Sequence, residues 1–530
     1  MAKKIACILF IVVFLISLTA CLNSSNNTTE NNSTKTSVSD VNGGDVKSTE
    51  NVMKNSAIIA MTGGEPTGFD PQKSLDSNAM MIYVNIYDNL IESDGACSNE
   101  IRPKLAESWD ISDDGLVYTF HLKTGVKFHN GETFSSADVK YTLERAKAEP
   151  ATSAYCTAIE SVEAVDAQTV IVTLNTKWAD FLRRLGTLGL SIVNEKAITE
   201  AGEDYGLNPV GTGAYRFVEW KQGESVVLTA YEEYHMGAAP IKDTTFKFFA
   251  DTNTAMIALQ NGEIDAIPNS AAIDAQTVEN DPNLALLSIP SDTSTYISIN
   301  TRKSPFDDIR VREAIRFAID KDMVLQGALT GAGIVANSNL HNRMLGYNAD
   351  IPETNLYDLE KAKALMVEAG YADGFSCTLK VIPTDSRDKA AQIIQAQLKA
   401  IGIEVSIEVL ERATFLEVTG NGDYEIVLGT LNWPDADNML TYLYGSKGPF
   451  NWQGVYSNPE VDELLLEARQ ELDQGKRSIA YDRVVQIAFE YAHNIPIYFP
   501  NQFFSARKGL EGVQIINNVY YPCNRWSWSI

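Results

Sequence analysis

The chain has 530 residues, 45% hydrophobic and 21% charged, with Asp+Glu 69 against Lys+Arg 43 and a formal net charge of -26. At about 100–200 residues per domain it is too long for one hydrophobic core, so two or three domains are expected. The acidic balance argues against a nucleic-acid-binding or anionic-membrane-binding surface and against a polyanionic ligand.

Residues 5–18 are almost pure Ile, Val, Leu and Phe behind Lys3 and Lys4. The run falls short of the roughly 20 residues that a spanning helix needs and fits the apolar core of a signal peptide. Leu18-Thr19-Ala20-Cys21 resembles the lipobox of bacterial lipoproteins. That resemblance implies a signal peptide over residues 1–20, lipidation at Cys21 and attachment to the extracytoplasmic face of the cell membrane, because two acyl chains suffice for stable anchoring. The stretch to residue 56 is Asn, Ser, Thr, Gly and Lys with few large apolar side chains. Such a composition cannot bury enough surface to offset the entropy of ordering, so residues 21–56 read as a lipid anchor and flexible linker.

In the body of the chain, Leu116, Tyr118, Phe120 and Leu122 alternate with polar or smaller residues, predicting a half-buried antiparallel strand after the turn Asp113-Asp114-Gly115. Ser135, with Asp138 three residues on, predicts a capped helix whose Val139, Leu143 and Ala146 form one apolar face. Thr254 precedes a short helix over 255–261, closed by Gly262. Asp307 is the predicted cap of a helix carrying Val311, Ala314, Ile315, Ala318 and Ile319 at core-facing spacing. Gly331-Ala332-Gly333-Ile334-Val335-Ala336 loosely fits a dinucleotide fingerprint but follows no clear strand, and reads as a loop. A helix over 359–370, a strand through Cys377, Leu379 and Val381, a helix over 386–400 and a strand through Ile403, Val405, Ile407 and Val409 follow. This strand–helix–strand unit predicts a mainly parallel sheet with helices on its faces, joined by residues 424–430.

Open α/β sheets bind ligands beyond the carboxyl ends of their strands. Two loops there carry chemistry: residues 383–387, with Arg387, and residues 431–438, with Asn432, Trp433, Asp435 and Asp437. A Trp ring beside carboxylates suits a zwitterionic ligand, since the ring covers an apolar stem while Asp accepts from an ammonium; Arg387 offers a bidentate fork to a carboxylate. The competing structural reading makes the Asp residues caps of a helix starting near Asn438 and Arg387 a solvated surface charge. No G-x-S-x-G, H-E-x-x-H or Walker motif is present, so no enzyme, cofactor or metal is expected. His121, His129, His235, His341 and His493 are scattered, and read as solvated or hydrogen-bonded surface groups. Once Cys7 leaves with the signal and Cys21 is lipidated, Cys97, Cys156, Cys377 and Cys523 remain, none in a CxxC; Cys97 with Cys156 is the expected pair if any disulfide forms.

The chain also resembles extracellular solute-binding proteins of family 5, the oligopeptide-, dipeptide- and nickel-binding lipoproteins that feed ATP-driven importers. The matching blocks run in order: Phe69-Asp70-Pro71; Ile86-Tyr87-Asp88-Asn89-Leu90; Leu105-Ala106-Glu107-Ser108-Trp109; Gly131-Glu132-Thr133-Phe134 to Ala137-Asp138-Val139; and Pro209-Val210-Gly211-Thr212-Gly213-Ala214-Tyr215. They continue with Gly262-Glu263-Ile264-Asp265, Ser304-Pro305-Phe306-Asp307-Asp308 through Arg312-Glu313-Ala314-Ile315, Ala400-Ile401-Gly402-Ile403 and Asn494-Ile495-Pro496-Ile497-Tyr498. The resemblance implies a periplasmic-binding-protein-like type II α/β fold, with two lobes of mixed sheet and an extra α+β domain. Lobe I would take residues 57–76, 199–291 and 505–530, the extra domain 77–198, and lobe II 292–504, with hinge crossings near 291 and 505. It implies a monomeric binding protein that closes over a peptide and delivers it to a permease and ATPase. Asp435, or alternatively Asp437, would read the peptide's amino group, Arg387 its carboxylate, and Glu65 its backbone. A nickel or metallophore binder and a peptide-sensing receptor without transport are the alternatives.

Overall fold

One fourteen-residue strand, Asn494–Arg507, organises the architecture. Its Ile495, Ile497, Tyr498, Phe499, Phe503 and Phe504 are strand formers that suit a pleated, buried surface, and all six are buried. The amino-terminal part pairs antiparallel with Thr293–Ile299 and with the short strand Gly333–Val335. The carboxyl-terminal part pairs antiparallel with Leu284–Pro290 and Ala266–Pro268. A proline cannot donate to a ladder, and the register shift between Thr295 and Tyr296 lies where the partners are Tyr498 and Pro496. Gly333–Val335 falls in the segment expected to be a loop. Gly333 allows it to be a strand, because a Cβ there would stand 2.5 Å from the Phe499 carbonyl oxygen.

This is a computed structural model, and it describes residues 54–93, 100–349, 351, 356–433, 435–451, 455–515 and 521–529, all within the unit Met53–Ile530. The expected signal segment, Cys21, most of the expected linker and Cys97 lie outside the described residues. No helix among the described residues is long and apolar enough to cross a membrane.

The long strand joins two mixed half-sheets. In one, Ser56–Thr62 runs parallel to Asp243–Phe249 and Ala266–Pro268, and Ser225–Ala230 and Tyr215–Lys221 continue the edge antiparallel. In the other, Phe375–Val381 lies parallel to both Ile403–Val409 and Ile426–Asn432, and the last of these pairs antiparallel with Thr293–Ile299. The predicted strand–helix–strand unit is therefore present, with helix Asp385–Lys399 as its crossover. A second core forms around a separate four-stranded antiparallel sheet of Ala106–Ile111, Val117–Leu122, Thr169–Leu174 and Ile159–Asp166. Tyr118, Phe120, Val170 and Val172 of that sheet pack with Val139 and Leu143 of helix Ser136–Ala148, which starts with the expected Ser135/Asp138 capping box.

Some boundaries shift by a residue or more because a neighbouring acid caps better. Asp251, not Thr254, accepts the Thr254 amide and starts helix Thr252–Gln260; Asp308, not Asp307, starts helix Ile309–Ala318. Cys156, Cys377 and Cys523 are free, buried thiols, and Cys97, the expected partner of Cys156, lies outside the described residues. His341 and His493 are buried in contact with aromatic rings, against the surface expectation. The glycines of the block at 209–215 have a packing reason. A Cβ on Gly213 would stand 2.6 Å from the Ile86 carbonyl carbon, and the Gly213 amide donates to Ile86 O at 2.8 Å.

Candidate functional site

Two chain segments pass between the half-sheets side by side: Ser291-Asp292, leading from Leu284–Pro290 into Thr293–Ile299, and the middle of Asn494–Arg507. They are tied by the Ser291 amide donating to Pro500 O at 2.9 Å. Asp292 is fully buried and accepts from Arg343 Nη2 at 2.8 Å.

Two cavities, of about 610 and 350 Å³, open at this crossing and share Thr293 and Asn432 in their walls. Both volumes lie in the range of small-molecule sites, about 300–1,000 Å³. The larger takes Asn269 and Ser270 from one half-sheet, Thr384 and Ser386 from the start of helix Asp385–Lys399 in the other, and Asn501 and Gln502 from the crossing. Its walls mix apolar surface with neutral hydroxyl and amide groups of both hydrogen-bonding senses, with Lys389 as the single charge among the described lining residues. The smaller lies at the carboxyl end of Ile426–Asn432 and is lined by Tyr296, Arg387, Arg412, Phe415, Trp433 and Phe450 among others.

Arg387, Asn432 and Trp433, expected from sequence, therefore meet in one cavity. Arg387 is half-buried on the first turn of its helix, whose N-cap Thr384 accepts from Arg387 N at 3.3 Å and from Arg387 Nε at 3.1 Å. Burial pulls its guanidinium below the ordinary value, and the repulsion of Arg412 acts in the same direction. The Trp433 ring packs on Tyr442 with centroids 4.8 Å apart, and its indole N–H is buried without a hydrogen-bond partner.

Asp435, Asp437 and Glu65 stand elsewhere. Asp435 caps helix Ala436–Tyr444, with Oδ1 accepting from Asn438 N and Oδ2 from Asn438 Nδ2, both at 2.8 Å. Asp437 is buried and accepts a bidentate pair from Arg469 at 3.0 and 3.3 Å. Burial, reinforced by Asp435 and Asp180 and opposed by Arg469, pushes its carboxyl up to about 6. Glu65 is exposed and accepts from Gly223 N at 2.6 Å. None of the three lines either cavity.

The acids of the Trp433 loop instead face the segment after the four-stranded sheet. Asp180, Asp435 and Asp437 bring carboxylate oxygens within 4.8 Å of one another. Arg477 meets Asp180 at 2.6 Å, Arg184 Nη2 donates to Asn438 Oδ1 at 2.9 Å, and Ala179 N donates to Arg469 O at 2.8 Å. Arg412 and Tyr296 are among the lining residues that the sequence did not single out. Arg412 opens helix Arg412–Gly420 just beyond the carboxyl end of Ile403–Val409, so the strand-end rule that singled out Arg387 applies to it equally.

The fold and this crossing define a type II periplasmic-binding-protein architecture. Residues 100–451 match the model of bacterial extracellular solute-binding proteins, family 5 Middle. The chain is 32% identical over 479 residues to heme-binding protein A of Haemophilus influenzae, covering 84% of this chain and 87% of that protein. It is 33% identical over 441 residues to glutathione-binding protein GsiB of Pectobacterium atrosepticum, covering 80% and 85%. The periplasmic binding protein DppA from Helicobacter pylori, solved with the peptide STSA, superposes with a TM-score of 0.75 at 29% identity, covering 90% of this chain and 99% of that one. The chain belongs to the bacterial extracellular solute-binding proteins of family 5, substrate-binding components of ATP-driven importers.

Proposed function

We propose that this protein is a lipid-anchored peptide receptor of an importer, tethered through Cys21 and handing short peptides to a membrane permease. The lobes would be residues 57–76, 199–291 and 505–530 on one side and 292–504 on the other, with 77–198 as the extra domain. The observation that carries the reading is the pair of cavities sharing Thr293 and Asn432 at the crossing, the larger of which is lined by residues of both half-sheets. A ligand touching both sides binds the closed form better than the open one, which is all that capture by closure requires. The larger cavity's neutral donors and acceptors suit the amides of an extended peptide, with side chains left in hydrated space. The peptide held by DppA and the glutathione named for GsiB support the same ligand class.

Ligand-stripped protein is expected to gain several degrees of thermal stability from a mixture of di- to pentapeptides and none from free amino acids, because only binding to the folded form shifts the equilibrium. Stabilisation by heme or nickel chelates alone would overturn the peptide reading.

A further inference from the structure

The charge of the binding walls is opposite to that of the chain. Asp and Glu exceed Lys and Arg by 69 to 43 overall, yet among the described residues the two cavities are lined by Arg387, Arg412 and Lys389 and by no Asp or Glu. In the smaller cavity, Arg387 and Arg412 stand in the first turns of helices Asp385–Lys399 and Arg412–Gly420. A cation at the amino end of a helix is locally unfavourable, since the helix already presents partial positive charge there. Two helices accept that cost at one cavity, and their dipoles add to the positive potential of the guanidinium groups.

Neither arginine has an ion pair among the described residues, although the neighbouring Asp388 attracts Arg387. Thr384 takes only the Nε of Arg387, and among the described residues the terminal nitrogens of Arg387 and the whole guanidinium of Arg412 have no ion pair or hydrogen bond. The Trp433 indole N–H and the Tyr296 hydroxyl, both in residues of the same wall, are also buried without partners. Gly429, opposite Tyr296 in the ladder, leaves room for that ring, as a Cβ there would lie 3.0 Å from its Oη. The cavity thus holds an excess of donors and has no carboxylate of its own.

We infer that the anchored end of the ligand carries two carboxylates, as in a short peptide ending in Asp or Glu, with Arg387 holding one and Arg412 the other. This rests on the peptide reading above and adds the class of peptide. Planar forks match carboxylates in bidentate fashion, and a second carboxylate is what distinguishes an acidic terminus from any other.

Titration calorimetry on ligand-stripped protein with Ala-Ala-Glu, Ala-Ala-Gln and the amide of Ala-Ala-Glu tests it. Ala-Ala-Glu is expected to bind about tenfold or more tighter than either of the others. Arg412→Gln should erase the preference for Glu over Gln, bringing Ala-Ala-Glu to the affinity of Ala-Ala-Gln. Equal affinity for the Glu and Gln peptides would overturn the inference and leave the peptide reading intact. Binding of citrate with no peptide bound would do the reverse, keeping the anionic site and removing the peptide. Absence of binding by all of these would overturn both.

Discussion

Arg477→Ala is expected to destabilise the protein by about 3–5 kcal/mol, the usual cost of leaving one member of a buried ion pair without its partner. The side chains of Arg477 and Asp180 are 7% and 12% exposed and meet at 2.6 Å. Burial works against the Arg477 charge, but the attraction of Asp180 outweighs it and holds the guanidinium above its ordinary value. The pair joins the segment after the four-stranded sheet to helix Gln474–Tyr491, so its loss also loosens the face carrying Arg184–Asn438 and Ala179–Arg469. Urea denaturation of the single variants and of Asp180→Leu/Arg477→Met checks this. The double variant should regain most of the lost stability, because apolar replacement of both partners removes the desolvation cost along with the attraction. A single-variant loss below about 1 kcal/mol would mean that the pair behaves as a solvated surface bridge.

Asp70→Ala is expected to cost a similar amount for the same reason, with the acid rather than the base removed. Asp70 is 5% exposed and accepts from Arg145 Nη1 at 3.0 Å, from Arg145 Nη2 at 2.5 Å and from Gln72 N at 3.1 Å. Gln72 Oε1 is a further acceptor for Arg145, while Gln72 Nε2 donates to Thr142 O at 2.8 Å. This network fastens the Phe69-Asp70-Pro71 turn to helix Ser136–Ala148. The variant strands a half-buried guanidinium, with an expected loss of about 3 kcal/mol or more, whereas Asp70→Asn keeps one acceptor and should lose less. Equal stability of Asp70→Ala and the parent in thermal and urea melts would show that Gln72 and Glu149 suffice to satisfy Arg145.

Periodicity made the half-sheet around Phe375–Val381 legible because both its strands and its crossover helix alternate polar and apolar residues at their own periods. The capping box at Ser135 and Asp138 was equally readable, since its two partners lie three residues apart. What depends on distant residues was not. Nothing in the local pattern of Asn494–Arg507 says that its two parts serve different half-sheets, or that Gly333–Val335 pairs with it. The Trp433 loop shows the same limit. Trp433 and Asn432 reach the cavity, while Asp435 turns to its own helix start and Asp437 to Arg469, a choice set by residues 32 or more positions away or by the first turn itself. Arg412 follows the carboxyl end of Ile403–Val409, so its place at the cavity is legible from the same strand-end rule that applies to Arg387.

Native mass spectrometry of the protein purified from cells under mild conditions tests the central claim most directly. A complex with a peptide of a few hundred daltons, released on denaturation and ending in an acidic residue, is expected. A bare protein mass, or a bound metal chelate in place of a peptide, would contradict it.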